Sequence, residues 1–143
     1  MASRTKVLFL CVGNACRSQM AEAIAKHVAD DVIEPSSAGL VAFGEITGPT
    51  LAVLGEHGIP AVGQSSKSLR SEHLSAADLV INMTGRSGSA IFTEHIPPFE
   101  DWDVGDPFGF NLSVYRAIRD QIEARVEDLA RRLREKIYSA GAE

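Results

Sequence analysis

A chain of 143 residues, 45% apolar and 23% charged, is sized and composed for one soluble globular domain over residues 1–143, not for a disordered chain, a collagen-like repeat or a disulfide scaffold. A surplus of acidic residues, 19 against 14 basic, sets the net charge at −5 and leaves no basic excess to hold a nucleic-acid backbone. The longest apolar run near the N-terminus, Val7 to Val12, is six residues, too short for a membrane span or a signal-peptide core, which predicts a cytoplasmic protein with no membrane partner.

In chain order, Lys6 to Val12 is almost wholly apolar and suits a strand buried on both faces. A helical stripe follows from Ser18 (Met20, Ala21, Ile24, Ala25, Val28), with Glu22 at capping-box spacing from Gln19 or Ser18. Val32 to Ala38 reads as a second strand interrupted by Pro35, and Pro49 to Glu56 as a helix stopped by Gly58 and Pro60. Asp78 to Met83 is a further buried-strand run, with a short helix around Ser89 to Glu94 and a fourth strand within Pro98 to Val104. From Leu112 to about Tyr138 the spacing of Val114, Ile118, Ile122, Leu129, Leu133 and Ile137 predicts one long amphipathic helix. Its charges (Arg131, Arg132, Arg134, Lys136 among Glu127, Asp128, Glu135) read as a solvated face. Strands alternating with helices predict an α/β fold with a parallel sheet covered on both faces, and ligands bound beyond the carboxyl ends of its strands.

The loop Cys11-Val12-Gly13-Asn14-Ala15-Cys16-Arg17-Ser18 stands at such an end. Gly13 and Asn14 are residues that visit left-handed backbone cheaply, so successive N–H groups can face inward as an anion nest, backed by the N-terminus of the next helix. Arg17 adds a planar fork for two oxygens of a tetrahedral oxyanion. A thiol at the rim of such a nest, as Cys11 is, is predicted to be a thiolate at neutral pH. Ser18 suits two roles, capping the helix and donating to that thiolate. Cys11 and Cys16 are the only cysteines, and His27, His57, His73 and His95 are scattered without ligand spacing, so neither a metal nor any other cofactor is expected. For a general acid the candidates are Asp101, Asp103 and Asp106, the last stiffened by Pro107. Phe43 and Phe108 fit either a core or the two walls of a substrate pocket.

The Cys11–Ser18 segment resembles the phosphate-binding loop of the low-molecular-weight protein tyrosine phosphatases, a loop shared with the thioredoxin-coupled arsenate reductases. Ser37-Ala38-Gly39 is similar to the end of that family's second strand, Ala77 to Ile81 to its third, and Asp106-Pro107-Phe108 to its general-acid loop. The resemblance runs from Lys6 to the last helix. It implies a three-layer, flavodoxin-like fold with a four-stranded parallel sheet, Asp106 as the acid, and a phosphorylated protein or small aryl phosphate as substrate.

Three departures accompany it. Gln19 stands where the phosphatase branch carries Pro, and Arg17 to Glu22 with Trp102-Asp103-Val104 is similar to the reductase branch. The segment Asn82 to Ser89 lacks the relay cysteines of thioredoxin-coupled reductases, leaving a reductase only Cys16 or an external thiol reductant. Ala15 matches neither the bulky residue of phosphotyrosine enzymes nor the Thr of phosphoarginine ones. The sequence thus favours a phosphomonoesterase over an arsenate reductase, and either over a non-catalytic phosphate-binding module, which needs neither thiolate nor acid. Closeness of Cys11 and Cys16 around one small anion also predicts a redox pair, the alternative being that Cys16 packs beneath the loop.

Overall fold

The computed structural model describes residues 4–92 and 96–141. Strand β1 (Thr5–Cys11) alternates its side chains between two apolar layers. Val7, Phe9 and Cys11 enter one core with Met20, Ile24, Ile122 and Val126, while Leu8 and Leu10 enter a second with Ala38 and Val80. A strand covered on both faces has no use for polar alternation, which is why its sequence is a solid apolar run. Full burial of a side chain such as Phe9 stabilises the fold by about 1.5–3 kcal/mol.

The sheet is parallel throughout, in the order β2-β1-β3-β4, with β2 spanning Ile33–Gly39, β3 Leu79–Asn82 and β4 Phe99–Asp101. This is the expected α/β architecture, and Pro35 is tolerated because β2 is an edge strand. Helices α1 (Arg17–Val28), α2 (Gly48–Glu56) and α5 (Leu112–Gly141) cover one face, and α3 (Ser71–Ala76) and α4 (Gly88–Ile91) lie on the other. No helix among the described residues is long and apolar enough to cross a membrane.

Three expectations change. α3 has no apolar stripe and no fully buried residue, so periodicity gave it no signal. The fourth strand is three residues long, because Trp102 and Val104 turn inward as loop residues under α5 and β1. The short helix ends at Ile91, and Thr93, Glu94 and His95 lie outside the described residues. In α2 the side chain of Thr47 caps Thr50 N at 3.3 Å, with Pro49 in the first turn.

Because β2 and β3 lie on opposite sides of β1, the chain reverses direction across the sheet at β1, and the crevice of such a fold opens beyond that strand's carboxyl end. Cys11 is the last residue of β1.

Candidate active site

Between β1 and α1 the backbone curls with Asn14 at φ +50°; Gly13, expected to share that left-handed conformation, does not adopt it, and what its lack of a side chain provides is room for the Phe43 ring, which a Cβ would meet at 2.6 Å. Each carbonyl of the loop is drawn outward by a donor from elsewhere. Cys11, Val12 and Gly13 oxygens accept from Leu40, Val41 and Phe43 N–H at 3.0, 3.0 and 2.9 Å, so the segment after β2 runs as a rail along the loop. Asn14 O takes Gln19 Nε2 at 3.1 Å, Ala15 O takes Thr47 N at 3.1 Å, and Cys16 O takes Met20 N at 2.9 Å. The N–H groups of residues 13–18 donate to no other group among the described residues. That is the arrangement of an anion nest at a helix N-terminus.

Gly39 is needed for this closeness. A Cβ there would sit 2.7 Å from Asn14 N and 2.8 Å from both Gly13 C and Val12 O, all backbone atoms. Gly39→Ala is expected to push the loop off the sheet, costing about 1–3 kcal/mol of stability and weakening phosphate binding; denaturant midpoints and phosphate titration measure the two losses. An unchanged phosphate affinity would mean that the loop does not depend on this contact.

Arg17 is 4% exposed. Its Nη1 donates to Met83 O at 2.6 Å and Val104 O at 3.1 Å, carbonyls at the carboxyl ends of β3 and of the chain after β4. This anchors one side of the guanidinium. Its Nη2 faces Asp106 Oδ2 at 3.6 Å, and Nε is buried without a hydrogen-bond partner among the described residues. A buried charge left with an unpaired donor is costly unless an anion meets it.

The cleft is lined by Cys11, Gly13, Ala15, Cys16, Arg17, Phe43, Asp106 and Phe108, contributed by the loops after β1, β2 and β4. All the expected site side chains except Val12, Asn14 and Ser18 line it. Asn14 and Ser18 lie beneath, where Cys11 Sγ and Ser18 Oγ are 2.9 Å apart and Asn14 Nδ2 donates to Ser18 Oγ at 2.7 Å. Ser18 is therefore not the helix cap. The cap position is Cys16, without a side-chain cap bond, and the third helical residue is Gln19, so Glu22 lies beyond capping-box reach. Its carboxylate instead accepts from Ser37 Oγ at 2.5 Å and pairs with Lys26 Nζ at 3.1 Å.

Of the three aspartates only Asp106 reaches the cleft. Asp101 Oδ1 accepts from Asn82 Nδ2 at 2.8 Å and Gly88 N at 2.9 Å, and Asp103 is exposed between inward-facing Trp102 and Val104. Asp106 divides its two oxygens, Oδ1 receiving Phe108 N at 3.1 Å in a turn and Oδ2 facing Arg17.

Phe43 and Phe108 are each 50% exposed, which removes the core alternative. Their rings meet edge to face at 5.2 Å over the loop and leave about 10 Å³ of space in the cleft, roughly a single water-sized sphere. Beside them a wider cavity of about 500 Å³ is lined by Ala15, Glu45, Ile46, Thr47 and Gly48.

Several neighbours gave no sequence signal. Tyr115 Oη lies 3.4 Å from both Cys16 Sγ and Thr47 Oγ1, and burial pushes its phenol up to about 12. Only the inward stripe of α5 hinted at it, one residue from Val114. Lys67, whose ammonium burial pushes downward, backs the loop through its N–H on Asn14 Oδ1 at 2.9 Å. Packing of α2 on α5 also brings ligand atoms of His57, Asp120 and Glu123 within 4.8 Å, a proximity invisible in the sequence. Both carboxylates already have partners, Glu123 Oε2 lying 2.9 Å from His57 Nδ1 and Asp120 pairing with Arg119 at 3.0 Å.

Comparison with known proteins agrees with this geometry. The family model described as low molecular weight phosphotyrosine protein phosphatase matches residues 6–139. A glutaredoxin arsenate reductase of Synechocystis sp. is 37% identical over 87% of this chain and 95% of that protein. A protein-arginine-phosphatase of Geobacillus stearothermophilus is 36% identical over 90% and 95%. The crystal structure of a low molecular weight protein tyrosine phosphatase from T. tengcongensis superposes with a TM-score of 0.79 at 34% identity, covering 90% of this chain and 99% of that one. On the family match, the shared four-stranded fold and these relatives, the chain belongs to the low molecular weight phosphotyrosine protein phosphatase family, a superfamily of enzymes that includes arsenate reductases and arginine phosphatases.

Proposed function

We propose that the protein is a phosphomonoesterase of the protein tyrosine phosphatase type, hydrolysing aryl phosphate through a phosphocysteine on Cys11. The observation that carries this reading is the convergence on one cleft of Cys11 and Arg17, from the two ends of the β1–α1 loop, and Asp106, from the loop after β4. Cys11 sulfur attacks phosphorus, and Arg17 with the loop N–H groups holds the equatorial oxygens as charge shifts among them. Asp106 protonates the departing phenolate, then takes a proton from the water that hydrolyses the S–P bond and frees the Cys11 sulfur. The positive field comes from the guanidinium and the amides, so turnover is expected to persist with a chelator present. Ala15 supports a bulky substrate, since its small side chain opens the cleft toward the 500 Å³ cavity.

A second reading rests on Cys16 lining the same cleft and on the arsenate reductase relative. With arsenate esterified to Cys11, attack by Cys16 or a small external thiol on the Cys11 sulfur forms a disulfide and releases arsenite, the two thiols supplying the two electrons. The chain has two cysteines, both in the loop, so no third thiol of its own carries the oxidation away. The deciding experiment measures p-nitrophenyl phosphate hydrolysis beside arsenate reduction, with thioredoxin, glutaredoxin and small thiols supplied in turn. Metal-independent p-nitrophenol release supports the first reading; turnover of arsenate alone replaces it with the second.

Redox protection is a separate expectation. Peroxide converts the Cys11 thiolate to a sulfenic acid, which condenses with the Cys16 thiol to a disulfide and water. After brief peroxide and then a dithiol reductant, wild type is expected to regain activity and Cys16→Ser far less. Equal recovery, or no loss of two hydrogens in the intact mass of oxidised wild type, would leave Cys16 a packing residue held by Thr47 and Tyr115.

A further inference from the structure

Gln19 has no part in the chemistry above, yet it is fully buried and surrounded by acceptors. Its Nε2 donates to Ser65 O and Asn14 Oδ1, both at 2.9 Å, and to Asn14 O at 3.1 Å. Its Oε1 receives Gln64 Nε2 at 2.8 Å, and Gln64 Nε2 also reaches Gln19 O at 3.1 Å. Three acceptors around one end and a donor at the other permit a single orientation of the Gln19 amide.

That orientation propagates. Asn14 Oδ1 accepts from both Gln19 Nε2 and Lys67 N, at 2.9 Å each, which commits the oxygen end of this amide away from the loop. Asn14 Nδ2 is thereby turned onto Ser18 Oγ at 2.7 Å. A hydroxyl has one proton to give. With its oxygen accepting from Asn14, Ser18 directs that proton to Cys11 Sγ, 2.9 Å away. Without the Gln19 amide, Asn14 Oδ1 keeps only the Lys67 N–H, so turning that oxygen toward Ser18, where it takes the serine proton from sulfur, costs less.

We propose that Gln19 and Gln64 are positioning residues that set the direction of the hydrogen-bond chain Gln64–Gln19–Asn14–Ser18–Cys11, holding Ser18 as a donor to the Cys11 sulfur. A donor to the charged form of an acid stabilises that form, so the chain favours the thiolate. A proline at position 19 has no side-chain amide and supports no such chain.

The inference rests on Cys11 being the nucleophile of the proposed reaction. The test follows iodoacetamide alkylation of the full-length protein against pH, with fragment-ion mapping to separate Cys11 from Cys16. In wild type, Cys11 is expected to react selectively and to be protected by inorganic phosphate. Gln19→Leu is expected to raise the pH midpoint of Cys11 alkylation by about one unit, the scale of a lost hydrogen bond to a charged group. Gln64→Leu, in a partly exposed loop, is expected to raise it by roughly half as much and serves alone if Gln19→Leu does not fold. On a Ser18→Ala background either substitution is expected to move the midpoint by less than about 0.3 unit, because the chain acts through Ser18. Midpoints unmoved in both variants, or shifts that persist without Ser18, overturn the positioning role while leaving the nucleophile in place. Unselective alkylation of wild type, unaffected by phosphate, removes both.

Discussion

Cys11→Ser is expected to abolish p-nitrophenyl phosphate hydrolysis, a loss on the order of 10⁶-fold, and to bind inorganic phosphate at least as tightly as wild type. The two outcomes separate because the loop does not depend on sulfur for its shape. Its carbonyls are held by Leu40, Val41, Phe43 and Thr47 N–H groups, bonds in which the Cys11 side chain takes no part. Serine places a neutral hydroxyl beside the anion, and the N–H groups of residues 13–18 remain. Arg17→Ala is the counterpart that loses both. It removes the guanidinium facing the cleft and leaves Met83 O and Val104 O without their buried donor, so phosphate affinity, turnover and melting temperature all fall. Isothermal titration with phosphate beside the p-nitrophenol assay reads both variants. A Cys11→Ser protein that keeps more than about one per cent of activity removes the nucleophile from the mechanism. One that no longer binds phosphate shows that sulfur is part of the nest.

How much of this was legible in the sequence follows from where each signal resides. Local signals survived folding. The apolar run of β1, the left-handed Asn14, the stripe of α5 and Pro49 in the first turn of α2 each express a constraint that acts within a few residues. Asp106 was legible only jointly. A turn aspartate before proline is common, and the structure gives one oxygen to the turn while the other faces Arg17 in the cleft. The expectation for Ser18 as a cap went astray because capping preference is a local rule, whereas Ser18 is claimed by Cys11 and Asn14 inside the loop. What could not be read is what distant segments bring. Residues 64–67 buttress the loop through Gln64 Nε2, Ser66 Oγ and Lys67 N, and Tyr115 reaches Cys16 across 99 positions of chain. None of these contacts leaves a periodic or spacing signal, because one hydrogen bond needs only one side chain at one place.

Asp106→Asn is expected to slow cleavage of phenyl phosphate by roughly 10²–10⁴-fold, the range of a lost general acid. The substitution is suited to the question because it keeps the structure. The amide oxygen still accepts from Phe108 N, so the turn that carries Pro107 and Phe108 is retained, and the volume beside Arg17 is unchanged. What is lost is the proton, and with it the carboxylate charge that faces Arg17. The cost then depends on how much the leaving group needs one. p-Nitrophenolate departs with little help, whereas phenolate is a far stronger base, so the loss is expected to be clearly smaller for p-nitrophenyl than for phenyl phosphate. Asp103→Asn and Asp101→Asn place the same change outside the cleft and are expected to alter kcat by less than about threefold, Asp101→Asn lowering stability through its bonds to Asn82 and Gly88. Steady-state rates on the two esters, with melting temperatures, distinguish the cases. An Asp106→Asn enzyme that hydrolyses both esters at wild-type rates refutes the acid assignment. A uniform loss on both esters points instead to the contact between Asp106 and Arg17, since an altered guanidinium position slows attack on phosphorus whatever the leaving group.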